Sequence, residues 1–196
     1  MTEEHRFSSE IKVDPKLLRY TPFKEKGQRL ARFDSGEPEL DKFLTTEEVE
    51  EYERDKLGST TLVYYQGELV AFYTIGTDSL RLEYIDEKKL SGAHWKKGRH
   101  AIESIPSPKV GRLATDGPWQ GKGIGRILIR RIGAIAYTLQ PAVRLLTVNS
   151  KPKSVDFYLK CGFEFACPVK RERRRDNKTM WLDVFGILDQ IEAETE

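Results

Sequence analysis

Runs of β-branched and aromatic residues alternate along the chain with stretches whose apolar residues recur every three or four positions, and the two periods divide it into elements. Leu17–Phe23 has the content of a strand. Asp34-Ser35-Gly36-Glu37-Pro38 is turn chemistry that opens a helix, with Pro38 suited to the first turn, and Leu40, Phe43 and Leu44 follow at helical spacing. Glu47–Lys56 continues as an acidic, exposed helix. Thr60–Tyr65 and Leu69–Thr77 are strand-like runs split by Gln66-Gly67-Glu68, a hairpin signal. Asp86–Pro108 is a long polar stretch with His94, Trp95, His100 and the basic Lys96-Lys97-Gly98-Arg99. Loops of that length inside a compact domain are usually functional or mobile.

The second half is more sharply punctuated. Lys109–Thr115 reads as a strand ended by Asp116-Gly117-Pro118. Gln120-Gly121-Lys122-Gly123-Ile124-Gly125 then runs into an apolar helix, with Ile124, Ile127, Leu128, Ile135 and Leu139 expected on one buried stripe and Gln140-Pro141 as its stop. Val143–Asn149 is a buried-type strand, and Pro152–Lys160 a short helix ended by Gly162. Phe163–Ala166 and Met180–Phe185 form a last pair of strands. The order β, α, α, β, β, β, α, β, α, β, β is that of a mixed α/β single domain and not of a doubly wound sheet. The expected organisation is a flexible arm over residues 1–16, a domain over 17–185, and an acidic tail or short helix over 186–196.

Composition narrows the class. The 196 residues are 38% hydrophobic and 33% charged, enough for a core beside a heavily solvated surface. Lys plus Arg number 33 against 31 for Asp plus Glu, a net charge of +2 that argues against a dedicated polyelectrolyte binder. The longest uncharged stretch, Ile132–Val143, has twelve residues, short of the ~20 that a membrane helix needs. The acidic start Met1-Thr2-Glu3-Glu4-His5-Arg6 lacks an apolar signal region, and two cysteines are too few for a disulfide framework. The expectation is a soluble cytoplasmic domain.

A strand, a turn, three glycines alternating at 121, 123 and 125, and then a helix make a definite physical object. Glycine lets the backbone adopt positive φ and approach a ligand closely. The unpaired N–H groups of the first helical turn lie at the positive end of the helix dipole, so the loop is a nest for a phosphate or pyrophosphate. Glycines also serve tight packing alone. The loop is not a nucleotide P-loop, because Arg126-Ile127 follows Gly125 where Lys and Ser/Thr are needed. Its G-x-G-x-G spacing differs from the dinucleotide fingerprint as well.

Gln120-Gly121-Lys122-Gly123-Ile124-Gly125 resembles the Q/R-x-x-G-x-G/A signature of the GNAT superfamily of N-acetyltransferases. Phe157-Tyr158-Leu159-Lys160-Cys161-Gly162-Phe163 resembles that superfamily's F/L-Y-x-x-x-G-F element, and Gly111-Arg112-Leu113-Ala114-Thr115-Asp116 its fourth strand. The likeness is tight over Val110–Phe165 and follows element order over Leu17–Phe185. A narrower likeness links Phe33-Asp34-Ser35-Gly36 with Leu40 and Phe43-Leu44, and Ala71-Phe72-Tyr73-Thr74-Ile75, to the TacT-type toxins that acetylate aminoacyl-tRNA. One departure stands out. The superfamily's N-x-x-A places hold Lys151 and Ser154 here, and Asn149 sits two residues early, so the asparagine contact to CoA is not carried over.

The resemblance implies a mixed, mostly antiparallel sheet flanked by helices and splayed between the fourth and fifth strands. It implies acetyl-CoA as cosubstrate and no metal. The diphosphate would lie on Gln120, Gly121, Lys122, Gly123, Ile124, Gly125 and Arg126. The main chain of Leu113, Ala114 and Thr115 would take the pantetheine amides. The reaction would be direct attack of a neutral primary amine on the thioester in a ternary complex, with Tyr158 as the acid for the leaving thiolate. A thiol of pKa about 8.5 draws a proton from a phenol of pKa about 10 only when the two are held together. No base stands out among Glu103, Asp116, His94 and His100. That is friendlier to an α-amine, partly neutral near pH 8, than to a lysine of pKa about 10.4.

Lys170–Lys178 carries six bases and two acids, readable either as a nucleic-acid contact or as a solvated hairpin tip, while Glu37–Asp55 holds nine acids against Lys42 and Arg54. His94 and His100 lack a third ligand at metal spacing, and Cys161 and Cys167 read as buried thiols. The expectation is therefore an acetyl-CoA-dependent N-acetyltransferase whose acceptor is a small molecule, a protein or aminoacyl-tRNA. The alternatives are a tRNA-acetylating toxin and a non-catalytic CoA-binding regulator, with no membrane partner and a homodimer left open.

Overall fold

The computed structural model describes residues 13–24, 30, 32–86, 89–90, 103–138, 143–166 and 177–185. Hydrogen bonding links seven strands in the order β1-β2-β3-β4-β5-β7-β6. In chain order the elements are β1 (Leu18–Pro22), α1 (Pro38–Thr45), α2 (Glu48–Arg54), β2 (Ser59–Tyr65), β3 (Glu68–Arg81), β4 (Ser104–Thr115), α3 (Ile124–Thr138), β5 (Leu145–Ser150), α4 (Val155–Lys160), β6 (Glu164–Phe165) and β7 (Lys178–Asp183). The expected alternation of elements and the mixed sheet are both present. Contacts divide the chain into two compact units, Met1–Ile75 with Arg112–Leu128, and Gly76–Gly111 with Ile129–Glu196.

In the first unit β1 and β2 run antiparallel, as do β2 and β3. The β2–β3 turn has positive φ at both Gln66 (52°) and Gly67 (88°), the geometry that matches the twist of a two-residue hairpin. Helix α1 opens on Pro38, whose missing N–H costs nothing at the first helical position. Phe43 and Leu44 from α1, Val49 from α2, Leu62, Phe72 and Ala114 from the strands, and Leu30 and Phe33 before α1 form one apolar cluster. Burying each large side chain there contributes roughly 1.5–3 kcal/mol.

In the second unit β4 runs parallel to β5, and β5 and β6 each pair antiparallel with β7. The β4–β5 pairing is confined to Lys109 with Thr147 and Val110 with Val148. Leu80, Ile85, Leu90, Ile105, Leu145, Ala166 and Trp181 form the core of this unit.

Three details differ from the sequence reading. β4 begins at Ser104, inside the stretch read as loop. Pro106 and Pro108 gave that stretch a loop-like character, yet prolines two apart remove N–H donors along a single edge and leave the other edge able to pair. The buried stripe of α3 is Ile124, Leu128, Ile129, Ile132 and Ala136, whereas Ile127 and Ile135 are only half-buried. The helix is apolar on more than one side, so periodicity alone did not fix its phase. Pro152–Ser154 is a 3-10 turn, and α4 proper starts at Val155.

The described chain begins at Val13, which is buried, before a 3-10 turn at Pro15–Leu17. His94, Trp95, Lys96–Arg99, His100, Leu139, Gln140-Pro141, Cys167, Lys170–Asp176 and 186–196 lie outside the described residues. Among the described residues no helix is long and apolar enough to cross a membrane.

Candidate active site

Strand β4 ends at Thr115 and enters a 3-10 turn, Gly117–Trp119, before the glycine loop. Gly121 (φ 71°) and Gly123 (φ 85°) are both left-handed, a conformation that strains any residue with a Cβ. Helix α3 is closed by the Gly123 carbonyl, which accepts the N–H groups of Arg126 (3.1 Å) and Ile127 (3.2 Å). The peptide N–H groups of Gly121, Lys122, Gly123, Ile124 and Gly125 donate to no described residue. Five adjacent open donors at the positive end of a 15-residue helix are a fitting seat for a diphosphate. Ile124 is 1% exposed, so its side chain anchors the helix end in the core. A Cβ built on Gly121 would meet nothing within 4 Å, so that face of the loop is open.

The remaining residues expected to hold the donor have varied settings. Ala114 is 5% exposed and part of the core. Leu113 and Thr115 are half-buried. The Gln120 side-chain amide donates to the carbonyls of Ser35 (2.8 Å) and Thr115 (3.0 Å), so it braces the loop. The Lys122 ammonium lies 4.4 Å above the Trp119 ring, and Trp119 in turn meets Tyr65 edge-on at 5.2 Å. Arg126 is half-buried in the first turn of α3.

The sequence reading did not find the brace under this loop. Asp116 accepts the Asp34 N–H at 2.8 Å from 82 positions away, and the Asp34 carbonyl accepts the Gly117 N–H at 2.8 Å. Ser35 donates through its N–H (2.8 Å) and its hydroxyl (2.6 Å) to Asp41, which ties the same turn to α1. The Asp-Ser-Gly turn signal was visible in the sequence. Its distant partner was not, because nothing local encodes it.

Tyr158, on α4, is 7% exposed, with its ring edge-on to Phe157 (5.0 Å) and Phe163 (5.2 Å). Gly162 (φ 88°) ends α4 and turns the chain so that the Phe163 N–H reaches the Tyr158 carbonyl at 3.0 Å. Burial first, and then the nearby Cys161 thiol, push the phenol's pKa well above its ordinary value of 10.0. The hydroxyl therefore keeps its proton at physiological pH. Tyr158 is thus a core aromatic whose phenol stays protonated.

Of the residues weighed as bases, Asp116 is committed to the Asp34 N–H, Glu103 is exposed, and the two histidines fall outside the described residues. Asn149 is exposed on β5, where its side-chain oxygen accepts the Thr179 hydroxyl at 3.2 Å. Cys161 is a half-buried free thiol. A carboxylate the sequence reading passed over, Asp78, accepts the Thr147 hydroxyl at 3.0 Å and pairs with Lys109 at 3.6 Å, where β4 and β5 cease to pair.

The comparisons agree with this architecture. The family model described as Acetyltransferase (GNAT) domain matches residues 30–180. The fold is similar to that of AtaT complexed with acetyl-methionyl-tRNAfMet (TM-score 0.72, 22% identity, 89% of this chain and 99% of that one). It is also similar to AtaTR bound with AcCoA (0.68, 22%, 90% and 99%) and to the KacTA–DNA complex (0.65, 20%, 90% and 99%). No curated protein matches the sequence. Since the family model spans most of its length, this chain belongs to the GNAT acetyltransferases, acyltransferases that draw their acetyl group from acetyl-CoA.

Proposed function

We propose that this acetyltransferase acetylates the amino group of aminoacyl-tRNA, with the glycine loop seating the donor's diphosphate and Tyr158 supplying the proton to the departing thiolate. The observation that carries the donor half is the row of five peptide N–H groups at the head of α3 that donate to no described residue. Such groups are strong donors that exist in any sequence, and the glycines clear the approach to them. The main chain of Leu113–Thr115, beyond the last β5 partner, supplies further groups for the amides of the pantetheine arm.

The acceptor half rests on two supports. The chain shares its fold over most of both lengths with AtaT complexed with acetyl-methionyl-tRNAfMet. Asp116 is held by the Asp34 N–H and Asp78 is paired with Lys109, which suits an α-amine that is already partly neutral near pH 8. In the transfer, the amine nitrogen forms its bond to the acetyl carbon as the carbon–sulfur bond breaks. Tyr158 protonates the sulfur, and the proton released from the ammonium to solvent is matched by one that solvent returns to the Tyr158 phenolate. Aminoacyl-tRNA places this activity in the cytoplasm. The reading also implies an antitoxin partner, as AtaT has in AtaR.

The test incubates the protein with labelled acetyl-CoA and, separately, charged tRNA, total cell protein and a polyamine mixture. Label in charged tRNA alone is the expected result. Label in protein or in small amines moves the acceptor to those classes. Label nowhere, with CoA still bound, supports a silent CoA-binding regulator.

A further inference from the structure

Side chains alternate across a strand, so Val110, Arg112 and Ala114 point to one side of β4. Val110 is 1% and Ala114 5% exposed, and Ala114 belongs to the core beneath α1 and α2. An arginine between two buried apolar residues breaks the binary pattern of the strand, and such breaks are either errors or functional. In the structure the Arg112 guanidinium lies 3.7 Å over the ring of Phe43, itself 1% exposed, and 4.9 Å from the ring of Tyr52. The face of the guanidinium is therefore spent on α1 and α2, while its edge carries the N–H donors.

No described residue gives that edge an acceptor. Five acids on or beside the neighbouring helices are engaged elsewhere. Glu48 pairs with Lys42, Glu51 and Asp55 with Arg54, Asp41 holds Ser35, and Glu53 takes the Thr60 N–H. Arg112 is thus a half-buried cation, held in place by stacking and without a carboxylate partner among the described residues. It stands one residue before Leu113, where the strand's proposed donor contacts begin. The donor's diphosphate has its own seat at the head of α3, so the anion that completes Arg112 belongs to the acceptor. A guanidinium with a free planar fork suits a phosphate, which it grips through two parallel hydrogen bonds.

We infer that Arg112 is a specificity residue that binds a backbone phosphate at the aminoacylated end of the acceptor RNA, an assignment that rests on the aminoacyl-tRNA reading above. The test compares wild type with Arg112→Met, which keeps a long stem over Phe43, and with Arg112→Lys, which keeps the charge but loses the fork. Each is given charged tRNA and, as a phosphate-free acceptor, methionine amide. Arg112→Met is expected to raise KM for charged tRNA about 10-fold or more, the worth of a charge-assisted contact, with Arg112→Lys in between. KM for acetyl-CoA and kcat/KM for methionine amide should stay within twofold.

Equal losses with both acceptors, accompanied by a lower melting temperature, would make Arg112 structural and overturn the inference. So would a raised KM for acetyl-CoA, or an unchanged KM for charged tRNA. If wild type acetylates methionine amide but never charged tRNA, the acceptor reading itself fails and takes this inference with it. If wild type acetylates charged tRNA and the variants match it, only the role of Arg112 fails. Should Arg112→Met not fold, Arg112→Lys alone decides, because it preserves stem and charge.

Discussion

At the head of α3 the proposed chemistry sits on the main chain, in donors that any sequence possesses, and side chains matter mainly by their absence at Gly121 and Gly123. At Tyr158 it sits on one hydroxyl, and the surroundings matter by their presence, since Phe157 and Phe163 crowd the ring and burial holds its proton. The first region is open and preformed by local rules of helix ends. The second is closed, and its character comes from what is packed around it. A binding seat built from backbone tolerates changes of side chain, whereas a proton donor built from one group does not.

The sharpest way to break this comparison is Tyr158→Phe. It keeps the ring and removes only the hydroxyl, so kcat should fall about 10²–10⁴-fold, the usual worth of a positioned acid, with KM for acetyl-CoA unchanged. Unchanged turnover at saturating substrates would leave Tyr158 as a core aromatic. The same variant has a stability signature. Burial raises this phenol's pKa in the folded state, so its contribution is complete below about pH 10 and declines as pH rises above that value. The decline is up to ~1.4 kcal/mol per pH unit, and Tyr158→Phe should flatten it in denaturant melts between pH 9.5 and about 11.5.

At the loop, Gly123→Val places a β-branched residue at φ 85° and should raise KM for acetyl-CoA at least ~10-fold while kcat at saturation changes little. Gly121→Ala sharpens the point, because its Cβ meets no atom within 4 Å and only the strain of φ 71°, about 1–2 kcal/mol, is tested. Titration calorimetry with CoA separates weakened binding from misfolding. A Gly123→Val protein that binds CoA as wild type does would mean that the glycines serve packing alone.

The smallest effect belongs to the brace. Gln120→Ala removes both donor contacts, to Ser35 and to Thr115, and should cost about 1–2 kcal/mol in thermal or denaturant melts. KM for acetyl-CoA should rise only a few-fold, since the backbone donors themselves survive. A loss as large as that of Gly123→Val would mean that the Gln120 side chain contacts the donor directly.

The order of strands and helices, the glycine loop and the Tyr158 element were legible in the residues, because each follows from local rules. These are alternation in strands, the 3.6-residue period in helices, and glycine where φ turns positive. Burial of α3 on Ile129 and Ile132 in place of Ile127 and Ile135 was not legible, because an all-round apolar helix takes its phase from the surface it meets. The Ser104–Pro108 start of β4 was hidden for a related reason, since prolines read as breakers until a partner needs only one edge of the strand.

What the sequence alone determined was the identity of the elements and the two local objects that carry the proposed chemistry. Only the tertiary structure joined Asp34 and Ser35 to the loop after β4, enclosed Tyr158 so that its proton is held, and laid Arg112 on Phe43 with its donors unspent among the described residues. The physical reason is range. Backbone preferences act over a few residues, but a hydrogen bond spanning 82 positions, a raised pKa or a stacked cation depends on which distant groups the core brings together.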